Sequence, residues 1–433
     1  MSGHASPTFL GIDVGTSGVR ACLIDARAQE LISAQTPLPA PQRTTLGIEQ
    51  DPDLWWQALD RVLGELGDAG HLRQVAALAL DATSATLLAC TETGEPLGPA
   101  LMYNDARATD AAEHIAAIAP ATSGAHGAHA SLAKALWLNT HTPLHAARHL
   151  LHQADWLNGR LCGRFGLSDE NNALKLGYDP VARVWPDWLD QTGLRREWLP
   201  AVVAPGTPLG TLLPHWAQRW GLPAAARLVA GTTDSTAAFL ATGADRPGQA
   251  VTSLGSTLVL KVLAEQPVFA PDYGVYSHRL GARWLVGGAS NSGGAVLRQF
   301  FSAERLRALE PALDPAVDTG LDYYPLPSVG ERFPINDPQW PPRMTPRPAD
   351  DARFLQGLLE GIAAIEHQGY ALLQRLGAPY PTTVISSGGG AANAAWRALR
   401  ARRLGVPVTQ AAHQEAAYGA ALLACRSGAA ACA

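Results

Sequence analysis

Residues 10–25 read Leu-Gly-Ile-Asp-Val-Gly-Thr-Ser-Gly-Val-Arg-Ala-Cys-Leu-Ile-Asp, and residues 250–263 read Ala-Val-Thr-Ser-Leu-Gly-Ser-Thr-Leu-Val-Leu-Lys-Val-Leu. Each is an apolar run, a tight turn of glycine and hydroxyl residues, and a second apolar run. The spacing predicts strand–turn–strand twice: Phe9–Asp13 and Val19–Ile24 around the first turn, Ala250–Leu254 and Leu258–Leu263 around Gly255-Ser256-Thr257. The echo points to two similar half-molecules, each contributing one hydroxyl-bearing turn.

Outward from the first turn, Asp53–Leu66 has helical spacing and Val75–Asp81 reads as a buried strand. Thr86–Cys90 and Pro99–Tyr103 flank a turn as a hairpin, and helices and loops follow to Trp220. Around the second turn, Leu228–Gly231 is a short strand, Asp234–Thr242 a helix and Arg283–Gly288 a strand. Phe354–Leu376 carries an apolar helical stripe. Thr383–Ser386 is a strand running into Gly388-Gly389-Gly390, with helices at Ala394–Arg403 and Glu415–Leu423. A chain of 433 residues exceeds one ordinary core. Two domains are expected, 1–227 and 228–433.

The formal net charge is -5, without a dense basic run, which argues against a nucleic-acid partner. Arg397, Arg400, Arg402 and Arg403 read as a solvated helix face. Five scattered cysteines without a Cys-x-x-Cys argue against disulfides or zinc and for a reducing compartment. The first residues lack a basic start with a long apolar run, and no stretch reaches membrane-spanning length. A cytoplasmic protein is expected, with no membrane partner, as a monomer or homodimer.

Gly-rich turns with hydroxyls bind phosphate through backbone N–H groups. Three segments fit: Gly15-Thr16-Ser17-Gly18, Gly255-Ser256-Thr257 and Gly388-Gly389-Gly390. None matches the P-loop or dinucleotide fingerprints. Asp13, ending a buried strand, suits Mg²⁺ beside phosphates or equally caps its turn. Asp234 suits acceptance of a hydroxyl proton in phosphoryl transfer, while its place in a first helical turn also suits the helix dipole. Asn393 and Trp396 share a helix face; they suit a purine, or a cap and a core indole.

LGIDVGTSGVRACLID, LALDATSATLL, YNDAR, AGTTDSTAAFLATGADRPGQAVTSLGST, FLQGLLEGIA and ISSGGGAANAAW, in this order, resemble the FGGY carbohydrate kinase family. The resemblance implies an α/β, actin-like (ribonuclease H-like) ATPase fold: two lobes, each a mixed sheet flanked by helices, with a cleft between. It makes 1–227 the sugar-binding lobe and 228–433 the nucleotide-binding lobe. It implies ATP and Mg²⁺ as cofactors, Asp234 as catalytic base and Asp13 as its metal-linked assistant, both near the substrate. Thr16, Ser17, Gly255 and Ser256 would approach the phosphates, and Gly389, Gly390, Asn393 and Trp396 the adenosine. Sugar contacts would come from the loop Asp81–Ala85, with Ser84 first, then Asn104, Asp105 and Asp169, each of which equally suits holding its own loop. Typical xylulose kinases carry Gln-Met-His-Gly where this chain has Ala82-Thr83-Ser84-Ala85. Tyr103 replaces the family's Trp, and Ser131-x-x-Lys134-x-x-Trp137 only approximates its first signature. These features resemble a short subgroup described as D-ribulose kinases. The expected reaction is phosphorylation of a ketopentose, D-ribulose before D-xylulose. An actin-like ATPase or binding protein with weak kinase activity is the competing class; a nuclease is disfavoured by the charge balance.

Overall fold

A computed structural model describes residues 6–142 and 144–430. The chain forms two compact units, Met1–Ala241 with Glu415–Ala433, and Thr242–Gln414.

The first unit is built on a six-stranded mixed sheet in the order Pro208–Thr211, Arg227–Val229, Val75–Ala82, Thr8–Val14, Gly18–Asp25, Glu30–Pro37. Thr8–Val14 is buried along its whole length. It pairs parallel to Val75–Ala82 and antiparallel to Gly18–Asp25. Leu10, Ile12, Leu78 and Leu80 pack with Trp55, Leu59 and Val62 of the helix Pro52–Asp68. That helix opens on Asp51, which accepts from the Asp53 N–H, with Pro52 in the first turn. A smaller sheet contains the expected hairpin, Leu87 opposite Leu101, and adds His149–His152 beside Leu87–Cys90. It packs on the helices Thr109–Ile118 and Ser131–His141.

The second unit has a six-stranded sheet in the order Tyr276–Leu280, Arg283–Ser290, Leu258–Ala264, Gln249–Leu254, Thr383–Ser387, Val408–Gln410. The helix Asp351–Arg375, capped by Asp350, contributes Leu355, Leu358, Leu359 and Ile362 to its core. Five strands of this sheet repeat the first unit's pattern. Gln249–Leu254 stands for Thr8–Val14, with two antiparallel strands on one side and two parallel strands on the other.

The boundary expected at 227/228 differs from this division. Arg227–Val229 pairs parallel to Val75–Ala82, placing it in the first sheet. The last helix, Ala416–Ala430, also belongs to the first unit. A Cβ on Gly11 would lie 1.9 Å from the Ala417 carbonyl oxygen, and one on Gly419 1.9 Å from that of Ala237, so glycine permits both close crossings. Periodicity reveals a strand or helix but not the sheet that receives it.

The expected solvated basic face fails at Arg400, which is fully buried. Its guanidinium holds Glu366 through Nε at 2.6 Å and Nη2 at 2.7 Å, and Nη1 donates to Ser386 Oγ. Among the described residues no helix is long and apolar enough to cross a membrane. Cys22, Cys90, Cys162 and Cys425 are free, and Cys432 lies outside the described residues.

Candidate active site

In the first unit the chemistry gathers at the carboxyl ends of parallel strands, where open α/β sheets place ligands. Asp13 and Asp81 are register partners on neighbouring strands. The next parallel strand continues through Gly231, where a Cβ would meet the Leu80 carbonyl at 1.9 Å. Glycine there lets Thr233 bridge Ala82, so that Asp234 begins the helix Asp234–Ala241 beside the same strand ends. Three carboxyl groups thus converge, and the charge of Asp234 acts on both others.

Arg20, opposite Asp13 in the hairpin, donates to Asp13 Oδ2 at 3.2 Å. Burial, followed by the charge of Asp234, raises Asp13 to about 6 against the opposing pull of Arg20. Asp81 is wholly buried, and burial and then the Asp13 charge hold it well above the usual carboxylate range. Neither Asp81 oxygen receives an N–H or hydroxyl from another residue. Its neighbour across the register is the Asp13 carboxyl, whose charge adds to the effect of burial. Asp234 is half-buried, and the Ser235 N–H donates to its Oδ1 at 2.6 Å.

The first turn is tight. The Gly15 N–H donates to the Gly18 carbonyl at 3.0 Å, leaving Thr16 half-buried and Ser17 exposed at its tip.

Beyond Asp81 the loop is clamped on both sides of Ser84. Gln153 Oε1 accepts from the Thr83 N–H at 3.2 Å and from Thr83 Oγ1 at 2.6 Å. Lys134 Nζ donates to the Ala85 carbonyl at 2.8 Å. The half-buried Ser84 hydroxyl has no partner among the described residues. Asn104 is half-buried with an unpartnered Oδ1.

Asp105 and Asp169 hold their own loops. Asp105 accepts from the Ile48 N–H and from Arg107, and Arg107 also reaches Glu49 at 2.6 Å. Burial pushes Asp105 up, but the Arg107 and Ile48 bonds outweigh it and hold it low. Asp169 caps the short helix Glu170–Ala173, accepting from the Asn171 and Asn172 N–H groups and from Asn172 Nδ2. Burial, then the charge of Asp155, raises it to about 7. Asn171 Nδ2 donates to Thr232 Oγ1 at 2.9 Å, tying this helix to the turn before Asp234.

In the second unit, Gly255-Ser256-Thr257 closes against Gly293 and Gly294, whose N–H donates to the Gly255 carbonyl at 2.8 Å. Ser256 is exposed, and its Oγ accepts from Arg298 at 2.8 Å. The triple glycine packs on Leu254, the last residue before that turn. Gly388 has φ +81 and Gly390 donates to the Leu254 carbonyl, while a Cβ on Gly389 meets nothing within 4 Å. Asn393 caps the helix Ala394–Leu404, its Oδ1 accepting from the Trp396 N–H at 2.7 Å. Trp396 is 3% exposed, and its ring fills the space a Cβ on Gly390 would occupy, 2.4 Å away. It therefore buttresses the turn from below rather than standing beside it as a free platform.

Sequence reasoning passed over Asp81 as a chemical group, Arg20, Gln153 and Arg298. Asp81 ends a buried strand just as Asp13 does, and the same reading would have found it. The others are single polar residues whose partners lie far along the chain.

Two family models match the chain: the FGGY family of carbohydrate kinases, N-terminal domain, over residues 8–241, and the C-terminal domain over 250–428. A xylulose kinase of Escherichia coli K12 is 30% identical over 425 residues, covering 91% of this chain and 84% of that protein. A xylulose kinase of Streptomyces coelicolor is 29% identical over 94% of this chain and 85% of its own. Among solved structures, one described as a xyloylose kinase from Brucella ovis superposes with a TM-score of 0.89 at 25% identity, over 98% of this chain and 91% of that one. The fold is the actin-like α/β arrangement of two units, each a mixed sheet with helices.

Proposed function

The chain belongs to the FGGY family of carbohydrate kinases, and from that premise we propose that it transfers the γ-phosphoryl group of ATP to a hydroxyl of a ketopentose, with D-xylulose the first substrate to test. The observation that carries this reading is the convergence of Asp13 and Asp234 at the strand ends of the first unit, in a chain whose relatives are named xylulose kinases. D-Ribulose is the second reading. The short Ala82–Ala85 loop and the unpartnered Ser84 hydroxyl favour it. The protein would act in the cytoplasm, as a monomer or homodimer.

Asp234 would accept the proton of the attacking hydroxyl, its carboxylate oriented by the Ser235 N–H. The turns at Thr16–Ser17, Gly255–Ser256 and Gly389–Gly390 would offer N–H and hydroxyl donors to the phosphates. Trp396 would act on the adenosine side by holding Gly390, leaving the Asn393 amide N–H for the base. Asp13 fits Mg²⁺ as a single protein carboxylate among waters and phosphate oxygens, the ion's usual company. Among the described residues no group of three His, Cys, Asp or Glu side chains is set to cage a metal. Bound there, Mg²⁺ would neutralise charge on the phosphates.

The test is ADP release measured with D-xylulose, D-ribulose, pentitols, glycerol and no sugar. Ketopentose-dependent release at a kcat/KM well above the other acceptors is expected. Release independent of any sugar would overturn the kinase reading in favour of an ATPase.

A further inference from the structure

Lys134 is fully buried on the helix Ser131–His141, and its ammonium touches no carboxylate. It donates instead to two backbone carbonyls, Ala85 at 2.8 Å and Met102 at 2.7 Å. An ammonium shut away from water without a charged partner is costly. Burial pushes Lys134 down to about 7. The nearest countercharge, Asp105, is already engaged by Arg107. An apolar side chain of similar length would serve packing alone at lower cost, so the charge at this position calls for another explanation.

What the ammonium joins supplies one. Ala85 closes the loop that begins at Asp81, and its backbone lies at φ +68, left-handed for a residue with a Cβ. Such a conformation persists only where surrounding contacts impose it. Met102 opens the turn that carries Asn104, whose N-terminal neighbour Tyr103 donates its N–H to Thr86 Oγ1 at 3.0 Å. Thr86 Oγ1 in turn lies 2.6 Å from Thr83 Oγ1. Thus Thr83, Ala85 and Thr86 are all held by other side chains, and beyond the buried Asp81 carboxyl the half-buried Ser84 hydroxyl and Asn104 Oδ1 have no partner among the described residues.

We infer that Lys134 is a positioning residue for the acceptor sugar: by pinning the carbonyls of Ala85 and Met102 it fixes Ser84 and Asn104 relative to each other, so that two adjoining hydroxyl groups of a polyol are read at once. The inference rests on the ketopentose kinase reading above and adds the residue that sets its geometry. Lys134 touches no substrate; it acts through the two segments it joins. A small misplacement of positioning groups carries a large kinetic penalty.

The experiment compares wild type, Lys134→Met and Lys134→Arg with the ketopentose that wild type prefers, recording KM for sugar, KM for ATP, kcat and melting temperature. Lys134→Met should lower kcat/KM for the sugar by about tenfold or more, chiefly through KM, with KM for ATP changed less than about twofold. Lys134→Arg keeps N–H donors for both carbonyls and should retain more sugar affinity than Lys134→Met. If Lys134→Met fails to fold, Lys134→Arg alone should still show a raised sugar KM with an unchanged ATP KM, because its bulkier head displaces the pinned segments. Equal shifts in the two KM values, or an unchanged sugar KM in a folded variant, would overturn the inference and leave Lys134 a structural residue. Failure of wild type to use any ketopentose would instead strike the underlying reading, so the two failures are distinguishable.

Discussion

The two sheets carry the same hairpin with opposite chemistry. In the first, the register pair one residue inside the turn is Asp13 with Asp81; in the second, the corresponding pair is Ser253 with Ser387. One step deeper the first sheet is apolar, Ile12 with Leu80, whereas the second is polar, Thr252 with Ser386. There Thr252 Oγ1 donates to Glu366 Oε1 and Arg400 closes the network on the same carboxylate. At this level of the second sheet charge is therefore paired and internal, and the turn above it is built of hydroxyls and glycines, with Ser256 accepting from Arg298. In the first sheet acids stand at the strand ends on an apolar floor, and two of them are raised by burial. On the kinase reading proposed above, one scaffold would serve two tasks: an acid where a proton must be taken, hydroxyl and N–H donors where anionic phosphates must be held.

The largest expected effect tests the acidic member. Asp234→Asn should lower kcat by roughly 10²–10⁴, with ATP affinity from calorimetry nearly unchanged. If the variant kept most of its sugar-dependent turnover, Asp234 would be only a helix-start residue, and the contrast between the sheets would lose its chemical meaning.

The neutral member is tested next. Trp396 lies in the second unit's core cluster, and Trp396→Ala should cost about 3–5 kcal/mol of stability, read as a fall in melting temperature. KM for ATP should rise with it, because the Gly390 turn loses its support. A raised KM with an unchanged melting temperature would mean that the indole faces the base instead, and the second site would be aromatic as well as glycine-built.

Asp13 offers a test by pH. Its carboxyl is raised from the ordinary 3.8 to about 6, led by burial, which corresponds to on the order of 3 kcal/mol. A carboxyl raised by folding binds its proton more tightly in the native state. Its contribution is fully present below about pH 3.8 and is lost as pH rises through about 6. The melting temperature of Asp13→Asn relative to wild type should therefore climb between pH 4 and 6 and level off above. A difference constant across that window would show that Asp13 ionises as an ordinary surface acid does, so the first sheet would hold no raised acid at this position.

The two hairpins, the long helix and the three glycine turns were legible because their patterns are local: apolar runs broken by residues that only turns tolerate. The unit boundary was not. Arg227–Val229 and the last helix look alike whichever sheet receives them, and glycines such as Gly11 reveal their purpose only once Ala417 is seen against them. In the candidate site, Asp13 and Asp234 stand out in the sequence by their places at a strand end and a helix start, each with a capping or helix-dipole reading beside the chemical one, and Ser84 stands out only through the family resemblance. The clamps formed by Lys134 and Gln153 span dozens of residues, and no periodicity encodes a bond of that separation. Asp105 and Asp169 were ambiguous because a loop-capping acid and a ligand-binding acid occupy the same kind of turn. Arg400 was misread because four arginines on one helix resemble a wet face until Glu366, on another helix, is placed opposite.

The smallest expected effect concerns the sugar, and it asks whether the first unit's selectivity lies in its hydroxyl loop as its reactivity lies in its acids. Ser84 is the unclamped member of the loop, with Thr83 bound to Gln153 and Ala85 bound to Lys134. A half-buried hydroxyl held in place by its neighbours discriminates well, because an epimer that points its own hydroxyl elsewhere leaves a polar group unpaired, at about 1–3 kcal/mol. D-Xylulose and D-ribulose differ by one such inversion. Ser84→Ala should therefore lower kcat/KM for the preferred epimer by about tenfold, affect the other epimer less, and so compress the ratio between them, while KM for ATP stays constant. The measurement is kcat/KM for both sugars in both proteins. An equal loss for the two epimers would make Ser84 a general contact without a part in selection. An unchanged variant would remove Ser84 from the site and shift the reading of the sugar to Asn104, across the Lys134 clamp.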